Sequence, residues 1–225
     1  MSNVYVGPDA GGVNAIRTTT PREVLRHNLF IADVSRVVST AVDLFGGVDS
    51  KEIRAGTLMA KVTASGKWTP WLGADVVSAV AIASVVLNVG VAAIARFAVG
   101  DVVKTSKPTA DSIVNAAEQT LGAIATLYAT SGTFAVSNAQ VVSAIAVGDT
   151  VWVEPATDTG IGDAIGVLLD NVLLRLGNGV ACERDARIAQ FGFLKTDQLL
   201  GLAGRAKLTL AGQGLLTPSC LLFCD

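Results

Sequence analysis

Charge is scarce in this 225-residue chain: only 16% of residues are charged, against roughly a quarter in an average soluble domain. Aromatic residues make up 5%, there is one histidine, and there are three cysteines. Each shortage excludes something. The formal net charge of −2 leaves no basic excess to grip a phosphate backbone. Few aromatics mean few platforms on which single-stranded bases could stack. Three cysteines (Cys182, Cys220, Cys224) are odd in number and too few for a disulfide framework, which fits folding in a reducing cytoplasm. The N-terminus, Met1-Ser2-Asn3-Val4, lacks the positive and apolar regions of a signal peptide.

What is present is apolar. Hydrophobic residues reach 51%, which excludes intrinsic disorder. So little charge on a chain of this size points to surface buried against other chains. From Val76 to Ala95 run 20 residues without a charge. The run is long enough to span a membrane, but its content argues against that. Val80 and Ile82 alternate with Ala79, Ala81 and Ala83 at a period of two, and Asn88-Val89-Gly90 has turn character. The reading is two buried strands and no membrane span.

Along the chain, residues 1–20 read as an arm, with one alternating patch at Val4-Tyr5-Val6. Thr20-Pro21-Arg22-Glu23 signals a short helix start. Phe30 to Val42 reads as strand-rich. Alternation on both sides of Ser65-Gly66 predicts a hairpin over 53–71. An internal echo follows: Phe97-Ala98-Val99-Gly100-Asp101 and Ile145-Ala146-Val147-Gly148-Asp149, each reading as a turn that feeds a strand. Pro108 to Thr120 predicts a short helix. Residues 156–163 form a turn-rich linker. Ala164 to Leu169 and Ile188 to Leu194 read as strands, Asp197 to Ala211 as a helix stopped by Gly212 to Gly214, and Leu215 to Phe223 as a last strand.

Three pieces together resemble one known family. They are Ala55-Gly56-Thr57-Leu58-Met59-Ala60-Lys61-Val62-Thr63 with Ser65-Gly66-Lys67-Trp68, then Ala164-Ile165-Gly166-Val167-Leu168-Leu169-Asp170-Asn171-Val172, then Arg187 to Phe193 with Asp197-Gln198-Leu199. In order and type they are similar to the opening hairpin, glycine-led strand and closing end of the lambda-type head decoration proteins of tailed phages. The resemblance covers residues 50–72 and 164–225. It departs where a long stretch carrying both Gly-Asp copies intervenes, and where Asn171 replaces the usual acidic residue.

The resemblance implies a mainly β (α+β) fold: a β-clip-like decoration core with short helices, interrupted by a small β-barrel-like inserted module. The corresponding organisation is an arm at 1–20, a discontinuous core at 21–74 plus 155–225, and an insert at 75–154. It implies a virion structural protein, not an enzyme, on the outer face of the capsid. Its partners would be the major capsid protein and itself, as a homotrimer, with no nucleic acid, membrane, cofactor or metal. Val4, Tyr5 and Val6 are the expected capsid contact, as a strand added to an exposed sheet edge.

Residue by residue, chemistry is sparse. His27 reads as a helix-end histidine. Cys220 and Cys224 would share a face of a helix or of a strand, as buried apolar side chains or an oxidisable pair. Glu183-Arg184-Asp185-Arg187 reads as a solvated loop instead of an acid/base group. Gly160-Ile161-Gly162 and Gly177-Asn178-Gly179 do not open a dinucleotide fingerprint. Trp68, Trp71 and Trp152 either cover the ends of small barrels or line a sugar site. The second possibility keeps open an alternative: a β-rich surface module binding carbohydrate or another host-surface ligand.

Overall fold

The computed structural model describes residues 33–37, 52–62, 66–108, 113–137, 141, 143–154, 163–174, 180, 182–211 and 220–224. The protein is mainly β with a few short helices. In chain order the elements are β1 (Asp33–Val37), β2 (Glu52–Ile53), β3 (Leu58–Lys61), β4 (Trp68–Pro70), β5 (Gly73–Asp75), β6 (Val86–Asn88), α1 (Val91–Ile94), β7 (Val102–Pro108), β8 (Ile113–Tyr128), β9 (Thr133–Val136), β10 (Thr150–Glu154), β11 (Gly166–Leu168), β12 (Val172–Leu173), β13 (Arg184–Ala189), β14 (Phe191–Lys195), a 3₁₀ turn at Thr196–Gln198, α2 (Gly204–Leu210) and β15 (Cys220–Cys224).

Five strands close into a barrel in the order β1-β13-β11-β3-β4, completed by a parallel bridge between Val37 and Trp68. The expected hairpin is β3 and β4, with Met59 opposite Pro70 and Gly66 in the left-handed region at φ 65°. The strands alternate between two apolar clusters, as a two-residue period requires. Met59, Leu168 and Ile188 join Trp68 in one cluster. Leu58, Ala60, Val167 and Ala189 join Trp71, Trp152 and the apolar residues of α2 in the other. Gly166 lies opposite Met59, and a Cβ there would strike Ile188 and crowd the Trp68 ring, so the closest part of the barrel needs glycine. Asn171 Oδ1 accepts from the Ala55 N–H at 2.8 Å, an acceptor role that a carboxylate fills equally.

Residues 73–154 supply a six-stranded antiparallel sheet, order β5-β10-β7-β8-β9-β6. It curls around a separate core that includes Leu87, Leu121, Ile124, Phe134, Ile145 and Val151. The Gly-Asp echo is two copies of one turn. Asp101 Oδ2 accepts from Ala98 N–H at 2.7 Å, and Asp149 Oδ2 accepts from Ala146 N–H at 2.8 Å. Each turn is closed by a backbone bond from Asp N–H to the same alanine's carbonyl, with glycine at positive φ.

Several local expectations are corrected. Pro108 to Thr120 is not helical: residues 113–120 belong to β8. Alanine, glutamate and glutamine favour helix there, but pairing with β7 overrides that preference. The uncharged run 76–95 holds one three-residue strand, β6, and the single turn α1, not two buried strands. Ile188 to Leu194 is broken at Gln190 into β13 and β14. The helix expected from Asp197 begins only at Gly204, after a bend with Gly201 at φ 83°. Glu183 to Arg187 is a strand side, not a loop, from Arg184 onward.

Candidate interaction surface and the polar joint behind it

The six-stranded sheet has two edges, and they differ in chemistry. At β5, the edge is covered. Asp75 Oδ1 accepts from Thr150 Oγ1 at 2.7 Å and from the Gly204 N–H, at the start of α2, at 2.9 Å. Thr150 Oγ1 in turn accepts from Arg205 N–H at 3.1 Å. The Arg205 guanidinium pairs with Asp163 (Nε to Oδ1, 2.5 Å; Nη2 to Oδ2, 3.1 Å) and lies 4.0 Å from the Trp152 ring centroid. Arg96 Nη1 donates to the Gly73 carbonyl at 2.8 Å, and burial lowers its pKa against the opposing pull of Asp75. Buried charges survive here because each is paired and hydrogen-bonded. Their arrangement ties α2 to the sheet: a joint, with every group named occupied by another protein group.

At β6, the other edge, nothing of the kind is found among the described residues. The topology brings two uncharged runs together there. One is Val76–Ala95; the other is Gln119–Gly148, 30 residues with no Asp, Glu, Lys or Arg. β6 pairs with β9, and β9 with the second half of β8, so the whole flank of the sheet lacks charge. It is also unusually apolar. Val77 (51% exposed), Ile82 (62%), Val85, Val86 and Val91 all face solvent. Backbone bonds hold these side chains to one region: Val77 N–H donates to the Asn88 carbonyl, and Gly148 N–H donates to the Val76 carbonyl. The second bond brings in the apex of the second Gly-Asp turn, Val147, 65% exposed. Single exposed aliphatics are ordinary, but a continuous uncharged group of them marks a contact surface.

No protein-family model, curated protein or solved structure matches the chain.

The residues singled out from sequence fall elsewhere. Trp68, Trp71 and Trp152 are all buried. Trp68 lies under Lys61 Nζ, 4.7 Å from the ring centroid, and Trp152 lies under Arg205. The Trp71 ring fills the space where a Cβ on Gly73 would project. Glu183 forms an ion pair with Lys67, and Arg187 holds Asp170 through two nitrogens, which raises the Arg187 pKa. These are cross-strand pairs on the barrel wall. Cys220 and Cys224 both lie in β15, parallel to β14 and opposite Phe191 and Lys195. Val4, Tyr5, Val6 and His27 lie outside the described residues, as do Gly160-Ile161-Gly162 and Gly177-Asn178-Gly179. Among the described residues there is no group of three His, Cys, Asp or Glu able to hold a metal, and no helix long and apolar enough to cross a membrane.

Sequence reading finds the first uncharged run but not its exposure, and it misses the second run and the joint. Counting residues between charges finds the second run. The joint has no signal in sequence, because Asp75, Thr150, Asp163 and Arg205 belong to no motif.

Proposed function

We propose that this chain is a phage virion structural protein. It decorates and cements the outer surface of the capsid as a trimer that clamps adjacent major capsid protein subunits, and it performs no reaction. One observation supports this above the rest. The three separate pieces that resemble the lambda-type decoration proteins, around 55–68, 164–172 and 187–193, contribute neighbouring strands (β4, β3, β11, β13) to one closed barrel. Segments so far apart in sequence share a resemblance and also share a structural unit. An uncharged, aliphatic flank beside that barrel suits burial against protein. Cementing then follows from mass action: a ligand that binds only the expanded lattice stabilises it. In this reading Val4, Tyr5 and Val6 add as a strand to a capsid sheet edge. Carbohydrate binding by Trp68, Trp71 or Trp152 has no observation in its favour, since a buried indole offers no face to a sugar.

The test is immunogold labelling of intact parent virions with antibody to the purified chain. Label on the head surface is expected. Label confined to the tail, or none at all, overturns the reading. Removal of residues 2–12 is expected to weaken binding to expanded shells, and unchanged binding removes the arm from the proposal.

A further inference from the structure

We infer that the uncharged flank around β6, formed by Val77, Ile82, Val85, Val86, Val91 and Val147, is the surface through which one copy of this chain binds another. The inference concerns contact between copies and stands whether or not the protein sits on a capsid.

Three observations carry it. The first is the contrast between the two edges of one sheet. At β5 the edge is covered by α2 and by side chains of both signs. β6 and its flanking residues 76–92 carry no lysine, proline or acidic group, the devices by which an edge strand avoids pairing. The second is charge. Two uncharged runs of 20 and 30 residues meet at this flank, while the wall of the barrel carries Arg184, Asp185, Arg187, Asp170, Lys67 and Glu183. A nucleic acid, an acidic peptide or an anionic lipid finds no counter-charge at β6. A second uncharged surface of the same kind meets it without burying any charge unpaired, and the one such surface known to be present at equal concentration is the same flank on another copy. The third is continuity. The backbone bonds from Val77 to Asn88 and from Gly148 to Val76 gather side chains from three separate stretches into one face, so the exposure is not a scatter of isolated residues.

The experiment is sedimentation equilibrium of the full-length chain and three variants over a wide concentration range. Thermal unfolding of each variant confirms its fold. The wild-type chain is expected to self-associate. Val86→Lys and Ile82→Lys place a like charge on both sides of the contact and are expected to weaken association by about tenfold or more, with melting little changed. Leu173→Lys changes an equally exposed aliphatic in the ribbon that β12 forms with β2, and is expected to leave association unaltered. A wild-type chain that is monomeric throughout the range overturns the inference. So does association that Leu173→Lys disrupts and Val86→Lys does not. Monomers whose binding to expanded shells is lost in Val86→Lys also overturn it, and assign the flank to the capsid.

Discussion

Gly100 and Gly148 occupy the same place in two turns that share their hydrogen bonds, and each sits at positive φ with open space where a Cβ would go. Substitution there meets backbone strain and nothing else. Gly100→Ala and Gly148→Ala are each expected to cost about 1–2 kcal/mol by urea unfolding, and to cost nearly the same. Gly132, also at positive φ, is different: a Cβ there collides with the backbone of Gly90 and Val91. Gly132→Ala is expected to cost distinctly more than either turn glycine, because the strand end beside α1 has to move. A carboxyl in the same turns gives a pH signature. Burial raises the pKa of Asp101 above the ordinary 3.8, opposed by the bond from Ala98 N–H. A raised folded value means that the folded chain holds a proton which the unfolded chain has released. Stability therefore falls as pH rises from 3.8 through the raised value. Asp101→Asn is expected to flatten that dependence, read as the midpoint of urea unfolding against pH. These turns are legible in the sequence, since a glycine-aspartate pair between apolar runs admits few conformations.

At the level of elements, β10 and α2 connect the parts of the fold. β10 alternates as a strand must, so Val151 enters the core of the six-stranded sheet and Trp152 the cluster around α2. Arg205 covers the Trp152 ring and is held by Asp163. Removing one member of so buried a pair leaves the other charged without a partner. Asp163→Ala is expected to cost about 3–5 kcal/mol, and Asp163→Ala with Arg205→Leu to cost less than Asp163→Ala alone. Chemical denaturation of the two variants and the wild-type chain checks this. Elements of this kind divide sharply in how well a sequence announces them. The hairpin β3–β4 is local, and its alternation and Ser-Gly turn define it. β8 is long and composed partly of helix formers, and its state is set by β7 on one side and β9 on the other. No window of residues 108–120 contains those partners, which is why local propensity points to the wrong element.

For the whole molecule, the mainly β class is legible from short alternating runs between turns, and the scarcity of charge is plain from composition. The position of that scarcity is not. Val77 to Val91 read as buried because they are apolar, whereas the sheet ends at β6 and leaves them outside. Solvent exposure is a property of the assembled sheet, not of a residue type. The same limit hides the joint, whose members are brought together only by folding, and the joint decides how the molecule unfolds. The sheet has its own core, and the barrel has two clusters of its own. Without coupling, such units melt separately. Coupling here comes from Asp75, Thr150, Gly204 and Arg205, with Trp152 reaching from the sheet into the α2 cluster. One calorimetric transition, with equal calorimetric and van't Hoff enthalpies, is therefore expected for the wild-type chain. Asp75→Ala removes the acceptor shared by Thr150 and Gly204, and Trp152→Ala removes the side chain that crosses between cores. The double variant is expected to show two resolved transitions, or a calorimetric enthalpy well above the van't Hoff value. A single sharp transition at lower temperature would mean that cooperativity runs through the two chain crossings near Leu72 and Glu154, and that the joint adds stability without enforcing unity.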